Sequence, residues 1–316
     1  MKIRIAEPSD LPAIINLLKI TLGDDTRRRN IGHWRWKHLN NPFGSSVVML
    51  AFINNKLAGM RAMMQWEFIY KAKFIKAWRA VDTCTAPEFR GRKVFSHLTS
   101  EMVQYLSGLH PAFIFNSPNP VSSAGYLKLG WEHADKVALR FRAFPKNLIL
   151  NSVIRRGTWP VAHEGVYFPG TQAIEHYLVD FNNDLITNWS VERLKWRYSL
   201  NSGIQYSSLN TANGTVIYHL IQHRWFIELR LTEIFCLNKK DISSDINQLI
   251  NWIQPGVVTI LEDQNGIIRK ILPGFFLDGR LFAPPLICRA LNDASLSDLF
   301  RKTDNRYLSA GTLELF

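Results

Sequence analysis

Cysteine is scarce. The 316 residues hold three, Cys84, Cys236 and Cys288, far apart and odd in number. No CxxC pair or histidine cluster accompanies them, which argues against a disulfide framework and a zinc site, so no metal is expected. Long apolar runs are missing too. None reaches bilayer-spanning length, and MKIRIAEPSD at the N-terminus lacks the apolar core of a signal peptide. The expectation is a cytoplasmic chain without a transmembrane segment. Acidic residues are the minority charge, 26 against 38 Lys and Arg, for a formal net charge of +12. That excess suits an anionic ligand, a nucleic acid or an anionic membrane surface. The basic residues are scattered, so no nucleic-acid partner is expected. With 47% hydrophobic and 20% charged residues, the composition supports one large domain or two ordinary ones.

The stretch around which the chain is organised runs from Trp78 to His97, WRAVDTCTAPEFRGRKVFSH. It reads as a strand, a loop opened by Pro87, a knot of positive charge and a helix from about Val94. Period-two geometry puts Val81, Thr83 and Thr85 on one face of the strand, Asp82 and Cys84 on the other. Backbone N–H groups at the start of a helix have no partners inside it, and Arg90, Arg92 and Lys93 add charge for a phosphate or pyrophosphate.

Pro87-Glu88-Phe89-Arg90-Gly91-Arg92 resembles the coenzyme A loop of the GNAT acyltransferase superfamily, P-E-[YF]-R-G-[KR]-G-x-[GAF]. The chain departs from the family's R-x-x-G-x-[GA] pattern by placing Lys93 and Phe95 where glycines are usual. Lysine at 93 is expected to need a negative φ to keep its N–H on the anion. A second match follows at the family's spacing. Asn119, Ser122, Tyr126, Lys128, Gly130 and Trp131 fit the closing helix N-x-x-[AS]-x-x-x-Y-x-K-x-G-[FW].

The intervening elements agree. Ile3 and Ile5 alternate into a strand, Ser9 is a candidate N-cap, and Leu11, Ile14, Ile15, Leu17 and Leu18 recur at helical spacing. His33–Asn41 reads as a short aromatic helix ended by Pro42. Strands are predicted over Val47–Ile53 and Leu57–Ile69, joined by Asn54-Asn55-Lys56, with a further turn over Tyr70–Phe74. Ala112–Asn116 is a buried strand, and a last strand, Val137–Phe144, is expected to close the first domain.

The second half echoes the first. Trp196-Arg197-Tyr198-Ser199-Leu200-Asn201 parallels Trp36-Lys37-His38-Leu39-Asn40-Asn41. Strands are expected over Val216–Gln222, Trp225–Leu231 and Thr232–Leu237. Leu272-Pro273-Gly274-Phe275 corresponds to Leu129-Gly130-Trp131, with a helix over Ile242–Ile253 before it. Asn238-Lys239-Lys240-Asp241 replaces the R-G-[KR] loop, and Tyr126 has no counterpart. The expected fold class is α/β (α+β), a GNAT fold with a mixed, mostly antiparallel sheet flanked by helices and a second, degenerate GNAT-like domain. The expected boundaries are 1–145, a connection over 146–170, and 171–316.

The resemblance implies an N-acyltransferase moving an acetyl or longer acyl group from acyl-CoA to a primary amine of a small molecule. The acceptor would be an amino sugar or amino acid, because W-[KR]-x-L-N-[NP] and V-D-T-x-[TP] segments resemble those of chains from cell-surface polysaccharide pathways. By the same resemblance Tyr126 would protonate the leaving thiolate. The cofactor would lie against Cys84, Thr85, Arg90, Gly91, Arg92, Lys93, Val94, Phe95 and Asn119. Asp82 is the candidate base, with counter-ion to the amine and loop cap as its alternatives. Glu67 is the second carboxylate, and Trp34 and Trp36 either wall the acceptor pocket or pack in the core. Cys84 has no histidine partner and reads as inert. The competing class is a non-catalytic GNAT-like protein that binds a ligand or docks a partner.

Overall fold

Two tight turns frame the first half. Asn54 and Asn55 have φ of 50° and 61°, and Lys71 and Ala72 have 48° and 57°. Both central residues of each turn are left-handed, the twist that lets antiparallel strands run on without splaying. They join β2 (Val47–Ile53), β3 (Lys56–Tyr70) and β4 (Lys73–Thr85) into a meander. The computed structural model describes residues 1–148, 166–262, 267–272, 277–279, 283, 285–302, 304 and 306–313. Most of the expected connection, 149–165, and the stretch Pro273–Phe275 compared above with Leu129-Gly130-Trp131 lie outside them. Among the described residues no helix is long and apolar enough to cross a membrane.

β1 (Lys2–Ile5) pairs with β2 at the sheet edge. The entry to α1 (Leu11–Leu22) is a 3₁₀ turn over Pro8–Asp10, in which Asp10, not Ser9, bonds back to the Glu7 amide. Ile14, Leu17 and Leu18 are the buried stripe of α1, as their spacing predicts. The aromatic helix is α2 (Ile31–Trp34) continued by a π-helical turn over Arg35–Leu39. Then come α3 (Val94–Ser107), β5 (Phe113–Asn116), α4 (Pro120–Lys128) and β6 (Glu132–Ala134).

The last strand corrects the sequence reading. β7 (Ala138–Ala143) does not close the first sheet; it joins the second, pairing with β12 (Val257–Glu262) and β13 (Leu277–Asp278). Between β5 and β6 lies β14 (Leu286–Ala290), from the far end of the chain. The halves therefore exchange strands, and no single cut in the chain separates the two sheets. A run of alternating apolar residues predicts a strand but does not name its partner.

The second half contains α5 (Thr171–Asp180), β8 (Ile186–Thr187), α6 (Val191–Arg197), β9 (Ser207–Thr211), β10 (Gly214–Gln222), β11 (Ile227–Cys236), α7 (Lys239–Ile253) and α8 (Ile267–Ile271). It ends with α9 (Ala294–Arg301) and α10 (Ala310–Leu313). Two expected strands, Trp225–Leu231 and Thr232–Leu237, are one strand, β11, bent at a bulge. Leu272 follows α8 rather than α7, since β12 and α8 lie between them.

The first sheet runs β1-β2-β3-β4-β5-β14-β6, with β8 on β3; the second runs β13-β7-β12-β11-β10-β9. Each has a meander, a helix, then a parallel neighbour: β4 with β5, β11 with β12. The meander of each is also bulged at the same place, Asp82 falling between the paired residues Val81 and Thr83, and Thr232 between Leu231 and Glu233. The matched tryptophans meet where the halves join. Trp36 and Trp196 stack at 5.2 Å, and each donates its indole N–H to the other's backbone carbonyl, at 2.7 and 2.8 Å.

α10 is wedged between the halves. Arg79 of β4 donates to the carbonyls of Thr312 and Leu313, and Arg197 donates to that of Gly311. A Cβ on Gly311 would stand 1.9 Å from the Tyr198 hydroxyl and 2.3 Å from Glu233 Oε1. Gly311→Ala is expected to destabilise the protein by about 1–3 kcal/mol, since the buried neighbours have nowhere to go. Urea unfolding measures this; an unchanged midpoint would show that α10 does not hold the halves together.

Candidate active site

β4 and β5 pair only over Ala77–Arg79 and Phe113–Phe115. Beyond Arg79, β4 continues to Thr85 with no β5 partner, which leaves one strand edge open. After Thr85 the chain makes a 3₁₀ turn over Pro87–Phe89, extends at Arg90, and enters α3 through Gly91 (φ 79°) and Lys93 (φ 58°, ψ 19°). The expectation that Lys93 needs a negative φ is overturned. The lysine adopts the left-handed conformation a glycine would supply, at roughly 1–2 kcal/mol. No side chain caps α3, so its first amides face outward beside the exposed Arg90, Arg92 and Lys93. Phe95, the second departure, is accommodated by α4: it packs on Gly125, where an added Cβ would come within 3.0 Å of its ring.

The other expected cofactor residues divide. Thr85 ends the open edge, and Val94 anchors α3 in the core. Asn119 caps α4, its side-chain oxygen accepting from the Ser122 amide at 2.8 Å. Cys84 is buried, and burial pushes its thiol up to about 11, the behaviour of an inert core thiol.

Tyr126 of α4 is buried and meets the ring of Phe95 edge-on at 5.3 Å. Its hydroxyl accepts from Arg61 Nη2 at 3.2 Å. Arg61, on β3, also donates to Thr83 Oγ1 at 3.2 Å. The structure thus brings Tyr126 together with the open edge of β4 through a residue that the sequence reading did not name.

Asp82 is elsewhere. The bulge gives it φ 32° and sends its carboxylate to Lys37 Nζ at 2.7 Å and His38 Nε2 at 2.9 Å. Ser46 Oγ occupies the other nitrogen of His38, at 2.9 Å. Burial alone would raise the Asp82 carboxyl, but the Lys37 ammonium and the His38 hydrogen bond outweigh it and hold it well below the usual carboxylate range. Burial likewise lowers His38. A carboxylate so held is a poor proton acceptor near neutral pH. It fastens the π-helical turn to the β4 bulge instead.

The three expected substrate residues are also in use. Trp34 is buried and packs on His38 at 4.0 Å; Trp36 lies in the stacked pair between the halves. Of the two alternatives for these tryptophans, the structure chooses the core. Glu67 binds Arg193 at 2.8 Å and Asn188 at 2.7 Å, tying β3 to the second half.

In the second half the helix that follows the meander, α7, does not start open. The Asn238 side chain accepts from the Lys240 and Asp241 amides of α7, and Asp241 adds a negative charge there. Residues of the second half's sheet line a cleft of about 1040 Å³, among them His219, Arg230 and Thr259, together with Leu313 and with Arg27 and Arg28 of the first half. No cluster of metal ligands occurs among the described residues. Lys37, His38 and Arg61 were missed in the sequence. The available signal was a lone cation in an apolar run, as in Gly59-Met60-Arg61-Ala62-Met63, since a strand interior tolerates a charge only for a reason.

Comparison with known proteins gives a consistent picture. Residues 2–134 match the family model of the acetyltransferase (GNAT) domain. No curated protein matches the chain. Among solved structures, a GCN5-related N-acetyltransferase from Anabaena variabilis ATCC 29413 is similar at 15% identity and a TM-score of 0.65, covering 92% of this chain and 73% of that one. A GCN5-related N-acetyltransferase from Kribbella flavida follows at 11% identity and 0.60, with coverage of 92% and 72%. Eis1 from Mycobacterium abscessus gives 9% and 0.56, with coverage of 92% and 73%. At these identities the likeness is one of fold.

Proposed function

From a chain that carries a GNAT acetyltransferase domain over residues 2–134, we propose an acyl-CoA-dependent N-acyltransferase whose acceptor is the primary amine of a small molecule, an amino sugar or amino acid. The observation that carries the reading is the contrast between two helix starts. α3 opens uncapped beside three exposed cations and an unpaired strand edge; α7 is closed by Asn238 and Asp241. Of these two, a pyrophosphate finds both charge and uncapped amides at the first. The chain then binds one acyl-CoA, and the second, degenerate GNAT-like half serves to cover the acceptor side.

Nothing here depends on a metal. The amine attacks the thioester carbon, the oxyanion is met by backbone N–H groups of the open β4 edge, and Tyr126 gives its proton to the departing sulfur. Asp82 is replaced as the base by solvent, because the ammonium formed on attack is more acidic than the free alkylammonium and can release its proton to water.

The test is Tyr126→Phe, which keeps the ring packing and removes the hydroxyl. Turnover of acetyl-CoA with an amine found by screening is expected to fall roughly 10²-fold, with CoA affinity nearly intact. If the variant is instead less stable and turns over normally, Tyr126 is a packing residue.

A further inference from the structure

Arg61 is fully buried, with 0% of its surface exposed. Its guanidinium donates to two neutral hydroxyls, those of Thr83 and Tyr126, and its Nε, also buried, has no partner. Aromatic rings close the rest of its surroundings: Phe95 at 5.5 Å, Tyr126 at 5.0 Å and Trp131 at 5.9 Å. No carboxylate among the described residues pairs with it. The contrast with Lys37, which has Asp82, is plain. Hydroxyls and ring faces only partly replace the hydration of a cation, and an uncompensated buried charge is strongly unfavourable. Such a residue persists where a negative charge arrives with a ligand or during a reaction.

We propose that Arg61 is a positioning residue for acyl transfer. It holds the Tyr126 hydroxyl toward the leaving sulfur and stabilises the negative charge released there. The inference rests on Tyr126 being the acid. When the tetrahedral adduct collapses, the carbon–sulfur bond breaks and its electron pair goes to sulfur. Sulfur takes the Tyr126 proton, and the phenolate remains hydrogen-bonded to Arg61. The proton shed by the amine goes to water, and water returns one to the phenolate. One proton thus passes from amine to thiol, and no other reagent is consumed. Thr83 fixes the guanidinium from the β4 side, its own hydroxyl donating to the Val81 carbonyl at 3.2 Å.

The test needs no acceptor. CoA bound to the full-length protein is titrated by the ultraviolet absorbance of its thiolate, in wild type, Arg61→Met and Tyr126→Phe. The groups facing the guanidinium are the hydroxyls of Thr83 and Tyr126 and the rings of Phe95, Tyr126 and Trp131, all neutral, so the variant removes the charge of this cluster. In wild type the bound thiol is expected to titrate about one unit lower than in Arg61→Met, the usual effect of a cation at close range. Thermal stability of Arg61→Met is expected to equal or exceed that of wild type, since an unpaired buried charge has been removed. Equal titration in both proteins overturns the proposal, and so does a large loss of stability in Arg61→Met and in a second neutral variant, Arg61→Gln. Failure of wild type to bind CoA at all would instead sink the acyltransferase reading, while a normal turnover rate in Tyr126→Phe would sink the acid assignment and, with it, the role given to Arg61, leaving CoA binding untouched.

Discussion

Asp82→Asn is expected to destabilise the protein by about 3–5 kcal/mol, the usual consequence of removing one partner from a buried ion pair. Asparagine has nearly the same shape and tolerates the positive φ of the bulge, so the change isolates the charge. Lys37 would be left buried with no counter-charge, and His38 would keep at most a neutral amide oxygen in place of the carboxylate. Adding Lys37→Met should restore much of the loss, since both charges are then absent. The pH dependence has a definite sign. The folded-state pKa of Asp82 lies below its unfolded value, so its contribution is fully present above about pH 4 and is lost as the pH falls further. The acid limb of wild-type unfolding should therefore contain a component absent from Asp82→Asn. If Asp82→Asn unfolds like wild type but is inactive, the carboxylate is a catalytic group and the anchoring role assigned above is wrong.

Replacing Arg90 and Arg92 together with alanine should weaken acetyl-CoA binding by well over tenfold. Each contact from a guanidinium to phosphate contributes roughly 1.5–3 kcal/mol when direct, discounted here because both side chains are exposed. The fold should survive, since the loop contributes only Phe89 and Val94 to the core. The affinity should also fall with added salt in wild type, and less steeply in the double variant. Arg224, exposed in the turn between β10 and β11, is the control, and Arg224→Ala should bind like wild type. Unchanged affinity in the double variant would remove this loop from the cofactor site.

The sequence made the first half legible because its signals are local. Asn54-Asn55 specifies a turn by its own conformational preference, the spacing of Ile14, Leu17 and Leu18 specifies a helix face, and the Pro87–Arg92 motif carries its geometry with it. What stayed hidden depends on partners distant in the chain. β7 reads correctly as a strand, yet which sheet receives it is decided by β12, more than a hundred residues away. Asp82 looks like a free carboxylate on a strand until the bulge turns it toward Lys37 and His38. Trp36 reads as either a pocket wall or a core residue until Trp196 stacks on it. Arg61 is the instructive case, because its mid-strand charge was visible, while the absence of an anion beside it is a property of the fold.

The central claim is that one acyl-CoA binds, at the opening of α3 and in the first half only. Calorimetric titration of the full-length protein with acetyl-CoA tests it most directly. The account predicts saturable binding with one site per chain, largely abolished in the Arg90→Ala/Arg92→Ala protein. Two sites per chain, or no saturable heat at any concentration reached, would contradict it.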